Sequence, residues 1–314
     1  MNITLRDADP QTDYERIAEL LNEIDTPKIS AAQIREWDQQ QFDGARILRR
    51  RVAVDETEQV LGYGVINHFP WLSEGHFLIN VVTEPTLRRR GIGARLYDDA
   101  LALARGYGVT TLKAEVREDH PEWLRFAEQR GFHVDHHVFE STLDLATFDA
   151  ERFADVLERV EAQGIRIFSL AEAPFTTENF RKLWEVNAET ARDDPASDGT
   201  FPDFEEFQKV TDAAWFRPDG QILAADGERY IGLSAVGYFA DGNAAYNNIT
   251  GVLDAYRGRH IALAMKVRAI QAAQRWGVER VITNNDSTNA PMLAVNRKLG
   301  YVSQPGVLRL VCNA

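Results

Sequence analysis

The stretch that decides the fold is VVTEPTLRRRGIGARLYDDALALARGYGVTTLKAEV, residues 81–116, and it has a partner further along the chain. Placing RRRGIGARLYDDALALARGYGVTTL, from Arg88, over RGRHIALAMKVRAIQAAQRWGVERVI, from Arg257, gives an offset of 257 − 88 = 169 residues. Carried forward without a gap, that offset aligns Arg90 with Arg259, Ile92 with Ile261, Ala100 with Ala269, Gly108 with Gly277, Gly131 with Gly300 and Phe132 with Tyr301. The identities are few, but they fall on glycines and helix-face positions, where backbone geometry and packing restrict the choice of residue most. The chain reads as a duplication.

Each copy alternates strand and helix. In the first, NITLRDA starts a strand, DYERIAELLNEI has helical periodicity, ILRRRVAVDE and VLGYGVINHF form a strand pair, and HFLINVV is a central strand. After RRRGIG, Ile92, Leu96, Ala100 and Leu103 recur at helical spacing; TTLKAEV returns as a strand, PEWLRFAEQRGF is a last helix and HHVFESTLDL a final strand. The second copy repeats this order from Gly164, with QILAADG and YIGLSAVGYF as its hairpin. The sequence thus predicts an α/β (α+β) class with a mixed sheet, a first domain over 1–145, a connecting helix over 146–163 and a second domain over 164–314. At 314 residues, two cores are expected rather than one.

A formal charge of −13 argues against nucleic acid, whose phosphates require a basic face. No apolar run reaches the roughly 18 residues of a membrane span, and the amino end lacks the pattern of a secretion signal, so a soluble, cytoplasmic protein without a membrane partner is expected. The single cysteine, Cys312, excludes an internal disulfide framework and a thiolate metal cluster. His136 and His137 are adjacent and point to opposite strand faces, so no metal is expected. In the acidic loop 189–207, Asp193, Asp194 and Asp198 are candidates for a cationic ligand or for plain solvation, and Trp71, Trp123, Trp184 and Trp215 read as core or interface aromatics.

RRRGIG itself has the geometry of an anion cradle. A strand enters a tight turn and a helix begins near Gly91, so the first backbone N–H groups of that helix have no partner within it. Together with the helix dipole they suit a phosphate; glycines at 91 and 93 allow close approach, and three arginines add charge. Neither usual nucleotide motif, G-x-G-x-x-G or G-x-x-x-x-G-K-[ST], is present.

The run V-x-x-x-P-x-x-R-R-R-G-I-G, followed by an amphipathic helix, a strand and a helix ending in R-G-F, resembles the acyl-CoA-binding core of the GNAT superfamily of N-acetyltransferases. That family's turn, [RQ]-x-x-G-x-[GA], is matched by Arg88, Gly91 and Gly93, and in the second copy by Arg257 and Ala262. NNDSTNAPMLAVNRKLGY resembles the family's terminal helix through Asn289, Gly300 and Tyr301. The resemblance covers nearly the whole chain as two tandem copies, and implies an intramolecular pseudo-dimer of two such domains. It implies acetyl-CoA as acyl donor, held by Val82, Thr83, Arg88, Arg89, Arg90, Gly91, Ile92, Gly93 and Ala94, and by Val252, Arg257, Gly258, Arg259, His260, Ile261, Ala262 and Asn289.

Three departures accompany it. His260 stands at the first turn glycine, and Ala127 and Asn296 stand where many members have a tyrosine that protonates the leaving thiolate. The implied reaction is direct attack of a primary amine, on a small molecule or a peptide, upon the thioester. Glu115 is the candidate base in the first copy; its counterpart is Asn284, which cannot take a proton, with Asp286 two residues on. The oxyanion would meet a backbone N–H near Val82 and Thr83, or near Gly251 and Val252. The intact RRRGIG favours an enzyme working through its first turn; His260, Ala127 and Asn296 favour the alternative, a non-catalytic acyl-CoA-binding protein.

Overall fold

The computed structural model describes residues 2–314 except 25–27, 40–46, 70, 71, 175, 194, 196–200, 240 and 241; Trp71, Asp194 and Asp198 thus lie outside the described residues. Two compact units emerge: Met1–Asp135 with Leu308–Ala314, and His136–Val307.

The first unit contains β1 (Thr4–Asp7), α1 (Tyr14–Asn22), α2 (Ala31–Gln39), β2 (Ile47–Val54), β3 (Val60–His68), β4 (His76–Thr83), α3 (Ile92–Gly106), β5 (Thr111–Arg117) and α4 (Pro121–Glu128). The second contains most of β6 (His133–Asp144), then α5 (Ala154–Glu161), β7 (Ile165–Ser169), α6 (Thr177–Ala191), α7 (Phe204–Gln208), β8 (Gln221–Asp226), β9 (Arg229–Phe239), β10 (Ala244–Val252), α8 (Ile261–Trp276), β11 (Arg280–Asp286), α9 (Ala290–Leu299) and β12 (Val302–Ser303). β13 (Val307–Asn313) belongs, from Leu308, to the first unit.

The strand order in the first unit is β1-β2-β3-β4-β5-β13, and in the second β7-β8-β9-β10-β11-β6, with β12 beside β6. Within each, the central pair is parallel, β4 with β5 and β10 with β11, and the strands before it are antiparallel. The mixed sheet expected from the sequence is present twice. The boundaries read at 145 and 164 follow chain continuity, whereas compactness groups the last strands crosswise: each unit takes its closing strand from the other half of the sequence. Of the stretch 146–163 read as a connecting helix, Ala154–Glu161 is α-helical as α5 after a 3-10 turn over Ala150–Phe153, and it buries Val156 and Val160 in the second core.

The cores follow from the periodicity. In the first unit Ile17, Leu20 and Ile34 of α1 and α2 pack with Val52, Val54 and Tyr63, and on the other face Ile66, Phe77, Tyr97, Ala100 and Leu112 pack with Phe132 and Leu310. In the second, α8 is buried along most of its length, from Ile261 and Leu263 to Ile270 and Ala273, against β8, β9 and β10.

Candidate functional site

Both units part the same two strands. β4 and β5 pair from His76 with Thr111 to Leu78 with Lys113; β10 and β11 pair from Ala244 with Arg280 to Tyr246 with Ile282. Parallel strands that stop pairing leave inward-facing backbone groups unmatched, so each fork is a place where a ligand can meet main chain. In β10 the fork is widened by a register shift against β9 between Asn247 and Ile249, a bulge that re-aims the strand. β4 keeps continuous register with β3 from Gly62–Thr83 to Asn67–Leu78.

The two turns share a backbone shape but distribute it differently over residue types. In each, two positions adopt positive φ: Arg89 (66°) and Gly91 (84°) in the first, Gly258 (77°) and His260 (63°) in the second. Each turn therefore relieves one left-handed position with glycine and carries a side chain through the other, at about 1–2 kcal/mol for the non-glycine. A Cβ added at Gly91 or Gly258 would meet nothing within 4 Å, so these glycines answer to the turn and to open space, not to packing. Neither Gly91 nor His260 caps its helix through a side chain, leaving the first N–H groups of α3 and α8 available.

Around the turns the units differ. In the first, Arg88 lies over the ring of Trp123, 5.6 Å from its centroid, and Trp123 stacks on His120 at 3.7 Å. Phe126 comes within 3.5 Å of where a Cβ on Gly93 would stand, and Arg130 sits 3.5 Å over Phe126. Aromatic rings of α4 thus lie against the first cradle. At the same offset α9 carries Met292 and Val295, and there the second unit has a cavity of about 840 Å³. Its walls include Asn247–Val252 of β10, Tyr256–Gly258 and His260–Leu263 of the turn and α8, Thr283–Asp286 of β11, and Asn289 and Met292 at the start of α9. Arg257 closes the turn through Nε to the Val252 carbonyl (3.2 Å) and pairs with Asp193 and Asp254. Asn289 spends its side chain on the α9 N-cap, accepting from Met292 N at 3.3 Å. Gly251 is required by close approach: a Cβ there would stand 2.4 Å from Cβ of Thr190, because α6 lies directly on β10. Its counterpart Val82 is a core residue under α1.

The floor of the cavity is polar where the first unit is apolar. Lys266 of α8, 1% exposed, donates through Nζ to Asn247 Oδ1 and lies 5.1 Å from the Tyr301 ring centroid. Burial alone pulls its pKa down to about 7. Asn247 is fully engaged, donating to the Ala235 and Ile249 carbonyls (2.9 and 3.1 Å) and accepting also from Thr250 Oγ1 at 3.1 Å, so it pins the bulge. Asn296 donates to Asn285 Oδ1 at 2.7 Å, and Asn285 to Ser141 Oγ at 2.9 Å. The counterparts of Lys266, Tyr301, Asn285 and Asn296 are Tyr97, Phe132, Val116 and Ala127, and the strand register before the bulge puts Asn247 in the place of Ile79; Tyr97 and Phe132 make an edge-to-face pair at 6.3 Å. Asp286 accepts from Thr288 N (2.8 Å) and Oγ1 (2.6 Å) and shares a hydrogen bond with His136 Nδ1 (2.7 Å); burial raises its pKa, but these bonds outweigh it and hold the carboxyl below its usual range.

Of the residues singled out in the sequence, the structure brings Val252, Arg257, Gly258, His260, Ile261, Ala262 and Asn289 to one cavity. Glu115 lies on β5 with its side chain 60% exposed, ion-paired to Arg309 Nε at 3.1 Å. Lys266 and Asn247 belong to no motif in the sequence. The available signal was a lysine within ALAMKV, three residues after Leu263 and four before Ile270, on the face of α8 that must be buried. Among the described residues no three His, Cys, Asp or Glu side chains converge as metal ligands would, and no helix is long and apolar enough to cross a membrane.

A family model described as the acetyltransferase (GNAT) family matches residues 14–132 and 182–301. Solved structures similar to this chain include a GCN5-related N-acetyltransferase from Sphaerobacter thermophilus, at 19% identity and TM-score 0.66, over 99% of this chain and 95% of that one. A tandem GNAT protein from the clavulanic acid biosynthesis pathway is similar at 19% identity and TM-score 0.64, over 99% and 98%. At these identities the likeness is one of fold. No curated protein matches the sequence.

Proposed function

The chain belongs to the acetyltransferase (GNAT) family through both of its halves, and from that premise we propose that it is an N-acetyltransferase whose acyl donor, acetyl-CoA, occupies the second unit. The observation that carries this reading is the cavity of about 840 Å³ running from the Arg257–His260 turn to the β10–β11 fork. The pyrophosphate would meet the first N–H groups of α8, with Arg257 and Arg259 as nearby cations. The pantetheine arm would run down the fork, where β10 past Tyr246 pairs only with β9 and its remaining N–H groups are free to bond amide and thioester oxygens. The backbone at Gly251 and Val252 would stabilise the oxyanion as the amine of a small molecule or peptide attacks and the thiolate leaves.

The first turn keeps the family's glycines, but rings of its own α4 lie against it. The unequal surroundings favour the second turn, against the ranking that glycine count alone suggests. Calorimetric titration of acetyl-CoA into the full chain tests this with matched variants, Gly258→Asp and Gly91→Asp, at positions where a Cβ meets nothing. A carboxylate beside the pyrophosphate should weaken binding at least tenfold for Gly258→Asp and leave the tighter site unchanged for Gly91→Asp. The reverse pattern would sink the assignment. Asn284 and Asn296, neither able to serve as base or acid, favour a second reading in which the unit binds acetyl-CoA without turnover. Binding without thiol release across a panel of amines would establish it.

A further inference from the structure

We propose that Lys266 takes the proton from the acceptor amine in the second unit, from its place at the apex of the β10–β11 fork; the inference rests on the acyl-transfer reading above. An alkylammonium must lose a proton before its nitrogen can attack a thioester, so a reacting site needs a group able to hold that proton. The described residues of the cavity narrow the choice. Asn284 stands where the first unit has Glu115. Asp286 is already held by Thr288 and His136 in its charged form, which makes it a weak proton acceptor. Asp193 is paired with Arg257 at the turn and half exposed. Tyr256 donates to Asp226 at 2.9 Å and is harder to ionise for it. Arg257 is paired with Asp193 and Asp254, and His260 sits in the turn itself, at the N-terminus of α8.

Lys266 differs from all of these. It reaches the fork from α8 through a buried stem, its only described polar partner is Asn247 Oδ1, and no carboxylate among the described residues pairs with it. A neutral amine suits this environment better than an ammonium, since burial penalises the charge and no carboxylate among the described residues offsets it. Burial without a counter-charge brings its pKa to about 7, so near neutral pH much of it is ready to accept. Asn247 also sets the bulge, so the same amide that opens the fork aims the amine. In the step itself, Nζ first relays the ammonium proton to solvent; the freed nitrogen then bonds to the thioester carbon and its second proton passes to Nζ. The carbon–sulfur bond breaks, and the ammonium of Lys266 returns the proton to the departing thiolate. Amine and acetyl-CoA thus become amide and free thiol, with Lys266 unchanged.

Trace labelling of the full chain with deuterated acetic anhydride between pH 5 and 11, read by peptide mass spectrometry, reports the protonation and access of each lysine. Lys266 should reach half its limiting reactivity near pH 7, while the exposed Lys209 does so above pH 10, and saturating acetyl-CoA should suppress the Lys266 label at least tenfold. Half-reactivity above pH 9, no labelling at any pH, or labelling unchanged with acetyl-CoA bound would each overturn the proposal. In parallel, Lys266→Met should lower thiol release from acetyl-CoA, with ethylamine or water as acceptor, at least tenfold while leaving acetyl-CoA affinity within twofold. Equal thiol release by the two proteins would also overturn it. A full chain to which acetyl-CoA does not bind at all would instead remove the acyl-transfer reading itself, and this inference with it.

Discussion

Two units built on one strand order have been given opposite interiors at the same address. Where the first unit sets Tyr97 edge-to-face on Phe132 in one apolar cluster with Ile79, Val116 and Ala127, the second buries Lys266, Tyr301 and three asparagines. Where the first lays Trp123 and Phe126 against its turn, the second has Met292 and Val295 beside a cavity. An apolar interior is the more stable answer to the same backbone, because every buried amide or ammonium loses water and must find a partner. At these positions polar groups stand in the second copy only, which is what the proposed site there requires, while the first copy fills them with apolar packing.

The largest expected effect comes from removing the buried amine. With a folded pKa near 7 against an ordinary 10.5, Lys266 is charged in both states below pH 7, and the burial penalty is then fully present. Between those two values the unfolded chain holds more protons and stability rises with pH; above 10.5 both states are neutral and the penalty is gone. Lys266→Met should therefore stabilise the protein by on the order of a few kcal/mol at pH 6 and by much less at pH 10, as urea unfolding at the two pH values would show. A gain independent of pH would mean that the lysine is not carried at a penalty, and the contrast between the interiors would lose its energetic side.

Next comes Gly251→Val, which gives the second unit the first unit's residue. With Thr190 at 2.4 Å the new side chain must push α6 off β10, costing about 1–3 kcal/mol. Unchanged stability would mean that α6 yields easily there. The converse exchange, Phe126→Val with Trp123→Met, should cost about 1–2 kcal/mol and expose the first turn. Calorimetry would then count one more acetyl-CoA per chain than in the parent. An unchanged count would show that the rings are not what separates the two turns. The smallest effect is expected of His260→Gly: relief of the left-handed φ of 63° is largely offset by the freedom glycine gains when unfolded, leaving a change of about 1 kcal/mol or less.

Much of this was open to reading from residues. The turns announce themselves because only glycine and a few tolerated side chains fit a left-handed backbone, and the 169-residue offset ties Gly108 to Gly277 and Gly131 to Gly300. The exchange of β6 and β13 was not legible: a closing strand reads the same whether it joins the preceding sheet or the other one. Nor was the depth of Lys266, since a lysine on an amphipathic helix is ordinarily solvated and only its apolar neighbours Leu263, Val267 and Ile270 mark it as buried. Glu115 illustrates the converse. Strand position suggested chemistry, while its exposure and its ion pair with Arg309 depend on β13, which arrives from the far end of the chain.

That last dependence sets an order of events during synthesis. β5 must wait for Leu308–Ala314 before the first unit is whole, and the bond from Ala314 N to the Thr110 carbonyl at 3.0 Å joins residues made 314 − 110 = 204 codons apart. The half translated first is thus completed last, with the edge of β5 awaiting its partner while the rest of the chain emerges. A ribosome that stops early delivers a first half with an open sheet, a form for which chaperones and proteases, rather than substrate, are the first encounter.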